Sequence, residues 1–309
     1  MSHSVNNPHD KFVRQTFSDP ERARAFVEEF LPERIVQHLD MPTLKVLKES
    51  YLDKDLKEYF SDLILEIDIK SKKQEKTSVA LLFEHKSSPD RNVLIQLGYY
   101  LFAHWFKQVR QRKKPRLIIP LIYYQGKQKW EAPPLVNLFE AYPGSMLDLV
   151  PQLRHLLVSL NEISDKQIHE LRNSMLAAAM AAQKLRFNPT SLVEDFKRIL
   201  NLFPLTETDK NFLEILVVYS FTVTDLSEKN ISESIESIPK PIKDKVMTTY
   251  DRIMNEGIEK GIEKGVSKQR TEIILTLYDD GIGIPQISRY TKITEEEVLK
   301  VLKENGRVE

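Results

Sequence analysis

Two short apolar stretches of the chain carry side chains that can do chemistry. The first stretch opens with Asp62, and the second ends with Glu84, His85 and Lys86. Side chains two residues apart in a strand share one face, so Glu84 and Lys86 are predicted to point together and His85 to point away. If the two strands are neighbours in a sheet, Asp62, Glu84 and Lys86 meet in one pocket.

Two carboxylates and a lysine in one pocket are suited to hydrolysing a phosphodiester. Carboxylate oxygens are ligands that Mg²⁺ prefers, and Mg²⁺ keeps several of its water molecules. Such a metal generates hydroxide near neutral pH, and the ammonium group orients the water or stabilises the pentavalent phosphate. The structural alternative is that Asp62 caps the start of a strand while Glu84 and Lys86 form a surface ion pair.

Six linked blocks of the sequence carry a resemblance to a known family. They comprise residues 9–12, 17–20, 30–32, 55–63, 84–90 and 119–126. In content and order they resemble the recombination-promoting nuclease (Rpn) family, also described as putative transposases. This family is a branch of the PD-(D/E)XK nuclease superfamily, whose D…ExK core is matched by Asp62, Glu84 and Lys86. The likeness runs from about residue 9 to the end of the chain.

The resemblance implies a fold, a cofactor and a set of roles. The implied fold is α/β, with a PD-(D/E)XK restriction-endonuclease-like core of order αβββαβ, a mixed sheet and a helical C-terminal extension. Asp62 and Glu84 are implied as catalytic metal ligands, with the backbone carbonyl of His85 as a further ligand, and Lys86 is implied as catalytic. The implied cofactor is Mg²⁺, with Mn²⁺ and Ca²⁺ as alternatives.

Three more polar residues are candidates for the same site. Gln96 and Tyr100 repeat the QxxxY pattern of some nucleases of this superfamily and share one helix face at i and i+4. Gln96 is predicted to be catalytic and Tyr100 accessory, although a four-residue pattern also arises by coincidence. The resemblance gives Asp10 an accessory acidic role, and the alternative is that Asp10 caps the next helix.

Composition excludes several classes of protein. The chain has 309 residues, of which 41% are apolar, and it contains no cysteine, so disulfide frameworks and thiolate metal sites are ruled out. The first residues contain no apolar signal segment, and no run approaches 18 apolar residues. We therefore expect a cytoplasmic protein without a membrane partner. The formal net charge is zero, so the whole chain is not a polycation.

Local charge is different, because one stretch is strongly basic. Between Arg91 and Lys129 there are nine Lys and Arg residues and no Asp or Glu. The predicted contacts to DNA phosphates are Lys107, Arg110, Arg112, Lys113, Lys114 and Arg116. Such a cluster gives salt-dependent affinity for nucleic acid. The alternative is a solvated helix end followed by a loop.

Hydrophobic periodicity predicts the elements that position these residues. Helices are predicted over residues 19–39 and 92–111, and strands over residues 44–52, 61–70, 78–86 and 116–124, with one more strand within 154–161. Pro120 lies inside a predicted strand, which argues for an edge position or a bulge. The order of these elements agrees with the αβββαβ core.

The chain is predicted to have four parts. Residues 1–160 form the nuclease-like core, 161–227 a helical extension, 228–269 a linker with a Gly-Ile-Glu-Lys repeat, and 270–309 a small helical unit. The linker proper is placed at 228–250. The repeat puts Gly257, Gly261 and Gly265 on one helix face, which indicates a self-associating neck or, alternatively, a frayed linker. The last unit resembles a helix-turn-helix, but its acidic final helix favours contact with protein.

The predicted function is a Mg²⁺-dependent DNA endonuclease with low sequence specificity, linked to recombination or mobile elements. Its partners would be DNA and, through the neck, a second copy of the chain. The alternative is a catalytically weak DNA-binding or regulatory module that assembles through its C-terminal tail. A three-carboxylate transposase is disfavoured, because the third member of the trio is Lys86.

Overall fold

A computed structural model describes residues 8–47, 63–70, 78–188, 191–203, 210–224, 226–236 and 238–308. The chain divides into two compact units, Met1–Val246 and Met247–Glu309. Asp62 lies outside the described residues, as do residues 48–52 of the first predicted strand. No helix in the described ranges is long and apolar enough to cross a membrane.

The first unit is built on a five-stranded mixed sheet. The strands are β1 (Leu39–Leu47), β2 (Leu63–Ile69), β3 (Ser78–Lys86), β4 (Ile118–Tyr124) and β5 (Leu156–Ser159). They lie side by side in chain order. β1, β2 and β3 pair antiparallel, whereas β3, β4 and β5 pair parallel. The α/β class, the mixed sheet and the strand predicted within 154–161 are confirmed.

Helices precede, separate and follow these strands along the chain. In chain order they are α1 (Pro8–Phe17), α2 (Pro20–Phe30), α3 (Glu33–Val36), α4 (Val93–Arg110), α5 (Gly144–Leu147), α6 (Asp165–His169), α7 (Ser174–Lys184), α8 (Leu192–Asn201), α9 (Lys210–Val223), α10 (Glu228–Ile235), α11 (Lys240–Asp279), α12 (Ile284–Thr291) and α13 (Glu295–Glu304). Short 3-10 turns cover Leu135–Leu138, Leu160–Glu162 and Leu185–Phe187. The helix predicted over 92–111 is confirmed as α4.

The helix predicted over 19–39 is shorter than expected. It starts as predicted, because Asp19 accepts a hydrogen bond from the Arg22 amide and Pro20 occupies the first turn. It ends at Phe30, since Pro32 disfavours the helical conformation of the residue before it. α3 and then β1 follow, so β1 begins at Leu39 and not at residue 44.

The two faces of the sheet bury two different hydrophobic cores. Leu81, Phe83 and Tyr123 point to one face, where they pack with apolar residues of α1, α2 and α7. Ala80 and Ile122 point to the other face and pack against the buried side of α4. The alternation along β3 and β4 therefore sends neighbouring residues to opposite layers.

β4 is not an edge strand, but Pro120 itself holds an edge position within it. β4 lies between β3 and β5, with Pro120 opposite Leu82 of β3. The register with β5 begins only at Leu121. Pro120 therefore lies where β4 has a strand on one side alone, and this position tolerates a residue without an N–H group.

The helical region after the sheet belongs to the first unit. The predicted helical extension contains α6 to α9, and the alanine-rich α7 is almost wholly buried. The linker predicted over 228–250 is wrong, because α10 and the first turns of α11 occupy it. Ile231 and Ile235 of α10, Ile238 between the two helices and Ile242 of α11 are buried there.

The second unit has a small core of its own. Ile274, Ile287, Val298 and Leu302 are buried together. Thr294 and Glu297 form a capping box at the start of α13. α11 runs unbroken for 40 residues and ends within the predicted small helical unit of residues 270–309. The three repeat glycines lie within α11, and a Cβ added to any of them would meet no atom within 4 Å.

Candidate active site

The end of strand β3 brings Glu84 and Lys86 together on one face of the sheet. The Nζ atom of Lys86 lies 3.0 Å from Oε1 of Glu84. Glu84 is only 1% exposed, so this ion pair is buried, unlike the surface pair of the structural alternative. His85 points to the opposite face, as strand alternation predicts.

Lys86 uses all the donors of its ammonium group. Besides Glu84, its Nζ atom lies 2.9 Å from Oδ2 of Asp90 and 2.8 Å from Oε1 of Gln96. An ammonium group has three N–H donors and no acceptor. Three oxygen partners therefore fix the position of this cation between β3 and the start of α4.

Asp90 is a member of the site that the sequence analysis did not single out. Its Oδ1 atom accepts a hydrogen bond of 2.8 Å from the Asn92 amide, which shapes the turn that leads into α4. Its other oxygen faces Lys86. The available signal was its place in the block of residues 84–90 that resembles the Rpn family.

The helix that follows the strand supplies Gln96 and Tyr100. The Nε2 atom of Gln96 donates to the Tyr100 hydroxyl at 2.7 Å, while its Oε1 atom accepts from Lys86. Their i and i+4 positions place both side chains on the buried side of α4. The structure thus brings Glu84, Lys86, Gln96 and Tyr100 into one chain of contacts.

Burial and charge act against each other at Lys86 and Asp90. Burial disfavours the cation at Lys86, but attraction to Glu84 and hydrogen bonds to both carboxylates outweigh it, so the pKa of Lys86 is raised. Burial likewise disfavours the anion at Asp90, but hydrogen bonds from Lys86 and the Asn92 amide outweigh it and lower the pKa of Asp90. Both groups are therefore charged at neutral pH.

The second oxygen of Glu84 fits a metal ligand. Oε2 of Glu84 is buried and has no hydrogen-bond partner among the described residues, and an unsatisfied buried carboxylate oxygen is costly. A divalent cation would satisfy it. The described residues contain no group of three His, Cys, Asp and Glu side chains arranged around a metal, and the predicted ligand Asp62 is not among them.

Asp10 lies on the other side of the sheet from Glu84. Its Oδ1 atom is 2.7 Å from Nδ1 of His85, and the His85 side chain is only 2% exposed. The ionised carboxylate can only accept, so Nδ1 donates. Burial lowers the pKa of His85 even though Asp10 opposes the shift. The structure therefore places Asp10 as the partner of His85, on the opposite face of the sheet from the Lys86 side chain.

A polar network next to this pair was not foreseen from the sequence. Nη1 of Arg186 lies 2.7 Å from Nε2 of His9, and Nη2 donates to the Gln125 carbonyl at 2.6 Å. Nδ1 of His9 lies 2.9 Å from the Tyr219 hydroxyl. A guanidinium only donates, so Nε2 of His9 accepts and the ring is neutral. Burial, and then Arg186, lower the pKa of His9 to about 4.

The basic stretch begins on α4 and continues in the loop after it. Arg112, Lys113 and Lys114 are exposed. Arg116 differs, because its guanidinium pairs with the carboxylate of Glu66 on β2 and its backbone amide donates to Gln108. Arg116, one of the six predicted phosphate contacts, therefore already has partners within the protein.

Comparison with protein families gives a match that covers more than half of the chain. Residues 7–214 match a family model described as putative transposase, YhgA-like. The matched range contains the sheet, α4 and every residue of the candidate site. No solved structure matches the chain.

Curated relatives are similar over nearly their whole length. The inactive recombination-promoting nuclease-like protein RpnE of Escherichia coli strain K12 is 25% identical over 301 residues, which cover 96% of this chain and 97% of the relative. The recombination-promoting nuclease RpnA of the same strain is 24% identical, with 95% and 96% covered. The recombination-promoting nuclease RpnD of Escherichia coli O157:H7 is also 24% identical, with 82% and 96% covered.

Proposed function

Since the chain belongs to the family described as putative transposase, YhgA-like, we propose that it is a metal-dependent nuclease that cleaves DNA during recombination. Family membership alone does not decide activity, because one similar protein is named inactive and two others are named nucleases. The observation that carries the proposal is the buried pair of Glu84 and Lys86, with one oxygen of Glu84 left open.

The metal ligands in this proposal are Asp62, Glu84 and the backbone carbonyl of His85. Leu63 of β2 lies opposite Phe83 of β3. Asp62 precedes Leu63 and Glu84 follows Phe83 in the sequence, and consecutive Cα atoms are about 3.8 Å apart. The start of β2 at Leu63 therefore lies beside the end of β3 that leads to Glu84. Mg²⁺, or Mn²⁺ or Ca²⁺ in its place, would supply a Lewis acid for the phosphate and a water of lowered pKa.

Lys86 acts on the charge that develops on the phosphate. Its ammonium group is held in place before the reaction, so no reorganisation is needed when charge appears, and such preorganised charges contribute strongly to catalysis. Gln96 and Tyr100 position Lys86 through their hydrogen bonds. Asp90 lies in the loop between β3 and α4, contacts the same ammonium group and favours its protonated form.

The substrate is held by contacts that carry no sequence information. Arg112, Lys113 and Lys114 are exposed side chains that suit the phosphate backbone, and contacts of this kind do not distinguish bases. The carboxylates of the site repel phosphate unless a cation is bound, so we expect DNA to engage productively only with metal. Low sequence specificity follows from this arrangement.

Plasmid nicking tests the proposal directly. Supercoiled plasmid is incubated with the purified protein and Mg²⁺, and separately with EDTA. We expect nicking only with Mg²⁺ and loss of nicking in Glu84→Gln. Glu162→Gln is the matched control, because Glu162 is a half-exposed carboxylate that pairs with Lys129 outside the site. Absence of nicking across a range of salt concentrations and metals would overturn the proposal.

A second candidate is a DNA-binding module with weak or no catalysis. The relative named inactive, 25% identical over 96% of this chain, is the observation that favours it. Binding that is equal in wild type and Glu84→Gln, together with no nicking by either, would select this candidate. Nicking by the wild type alone would reject it.

A further inference from the structure

The outer face of α4 exposes an unusual row of large apolar side chains. Ile95, Tyr99, Phe102, Phe106 and Val109 are 48–63% exposed. Their spacing of four, three, four and three residues places all five on one face of the helix. The opposite face of α4 is buried against the sheet. A continuous exposed apolar row of this kind marks a binding surface.

Aromatic rings form the centre of this row. The Tyr99 ring lies 5.9 Å from the ring of Tyr100, which belongs to the candidate active site. The Phe102 ring lies 5.8 Å from the ring of Trp105. Arg110 places its guanidinium 5.9 Å from the centre of the Phe106 ring. The row is therefore aromatic in its middle and cationic at its C-terminal end.

The charges beside the row favour a polyanion over a second copy of the chain. From Arg91 to Lys129 the sequence has nine Lys and Arg residues and no carboxylate. Two copies packed through α4 would bring these cations together, and this segment offers no acid to neutralise them. A nucleic acid supplies one negative charge for each nucleotide and neutralises them directly.

We propose that the outer face of α4 binds single-stranded DNA, with bases stacked on Tyr99, Phe102 and Phe106. Phosphates are held by Arg110, Arg112, Lys113 and Lys114. Exposed aromatic rings combined with cations are the means by which proteins bind single strands without sequence preference. Bases inside a duplex are already stacked on one another and cannot lie on these rings.

This inference deepens the proposed function by naming the form of its substrate. Gln96, which holds Lys86, lies three residues before Tyr99, and three residues of helix span about 4.5 Å. Tyr99 is therefore less than one helical turn along α4 from a residue of the candidate active site. The nuclease would act at single-stranded segments such as gaps and unpaired ends.

Equilibrium binding tests the inference without any cleavage. Fluorescence anisotropy is measured in EDTA with labelled oligothymidylate and with a labelled duplex. We expect tighter binding of oligothymidylate, and roughly tenfold weaker binding for each ring lost in Phe102→Leu and Phe106→Leu. Leucine keeps the surface apolar and removes only the stacking face. Tyr290→Leu is the matched control, because this ring is 64% exposed but lies on α12.

The possible outcomes separate the explanations. Unchanged affinity in the leucine variants, or equal affinity for duplex and single strand, would overturn the inference. A wild-type dimer that dissociates in the leucine variants, while affinity for DNA is unchanged, would identify the row as a contact between copies. Phe102→Trp keeps a stacking face and should bind at least as tightly as wild type, and weaker binding would also count against stacking.

The test also separates this inference from the proposed nuclease activity. Lys86→Ala should lose nicking and retain oligothymidylate binding, because Lys86 is not on the outer face of α4. Plasmid nicking by a protein that shows no preference for single strands would overturn the inference about α4 and would still support the proposed nuclease activity. Preferential binding to oligothymidylate without any nicking would support the inference about α4 and overturn the proposed nuclease activity.

Discussion

Gln96 accepts a hydrogen bond of 2.8 Å from Lys86 and so joins α4 to β3 inside the candidate site. The ammonium group has no acceptor, so it must face the oxygen of the Gln96 amide. The amide nitrogen then points to Tyr100, whose hydroxyl accepts at 2.7 Å. The orientation of Gln96 is therefore determined by its two partners, and Lys86 is positioned by a helix that is itself packed on the sheet.

Removal of this cation should abolish catalysis and weaken the fold. In Lys86→Ala we expect the nicking rate to fall by orders of magnitude while affinity for Mg²⁺ is kept, because Lys86 acts on the transition state. Without divalent ions the buried Glu84 loses its cation, which should destabilise the protein by about 3–5 kcal/mol. Plasmid assays and denaturant unfolding measure the two effects. Wild-type turnover in this variant would make Lys86 a purely structural partner.

Metal binding should stabilise the wild type through Glu84 and Asp62. A ligand that binds only the native state adds about 2.7 kcal/mol when its concentration is roughly 100 times Kd. We expect Mg²⁺ to raise the melting temperature of the wild type but not of Glu84→Gln or Asp62→Asn. Glu162→Gln should respond like wild type, because Glu162 lies outside the site. A Mg²⁺ response that survives loss of either ligand would place the metal elsewhere.

Charge reversal in the loop after α4 should weaken DNA binding equally for all sequences. Replacement of Arg112, Lys113 and Lys114 by Glu removes phosphate contacts, and each contact contributes about 0.7–0.9 to the slope of log affinity against log salt. Binding titrations at several salt concentrations measure the slope. The control reverses three exposed lysines outside the stretch, namely Lys166, Lys229 and Lys243. Equal slopes in the two triple variants would exclude the loop from the DNA interface.

Stability should fall on acidification because His9 is held neutral. Its pKa is lowered to about 4 in the folded protein, while an unfolded histidine titrates near 6.5. Between these values the unfolded chain binds more protons, so the free energy of unfolding decreases as the pH falls from about 6.5 to about 4. His9→Gln keeps an acceptor for Arg186 and cannot titrate. We expect a flatter pH dependence in this variant, and an identical one would mean that other groups dominate.

The C-terminal part of α11 should mediate self-association. Ile258, Ile262 and Val266 are about half exposed along α11, at the same four-residue spacing as the repeat glycines. Truncation after Met254 should leave a soluble monomer that nicks DNA but makes fewer double-strand breaks, because paired active sites are lost. Light scattering decides the point. If the complete and truncated chains are both monomers, the tail is a binding appendage for another partner.

Local sequence patterns predicted the parts of the site that lie close together in the chain. Alternation along β3 was sufficient to place Glu84 and Lys86 on one face, and helical spacing placed Gln96 beside Tyr100. The partnership of Lys86 with Asp90 depends on the turn between them, and a sequence pattern does not fix the path of a turn. The interpretation of residues 228–250 as a linker failed because polar residues outnumber the apolar ones that are buried.

Contacts between distant residues could not be read from periodicity. His9 meets Arg186 and Tyr219 across 177 and 210 residues. No local propensity connects such positions, because the contact exists only after α1, the turn Leu185–Phe187 and α9 have packed. The pairing of Asp10 with His85 is of the same kind, and it assigned Asp10 to a different face of the sheet from Glu84.

The contact between α1 and α9 also delays the folding of the newly made chain, because its two partners are synthesised at different times. Phe12 stacks on Tyr219 with ring centres 3.9 Å apart, and a ribosome adds about 5–20 residues per second, so roughly 10–40 s separate the synthesis of the two rings. During that interval α1 has emerged without the surface that covers it. The nascent protein therefore exposes the apolar side of α1, which includes Phe12, until α9 has been synthesised.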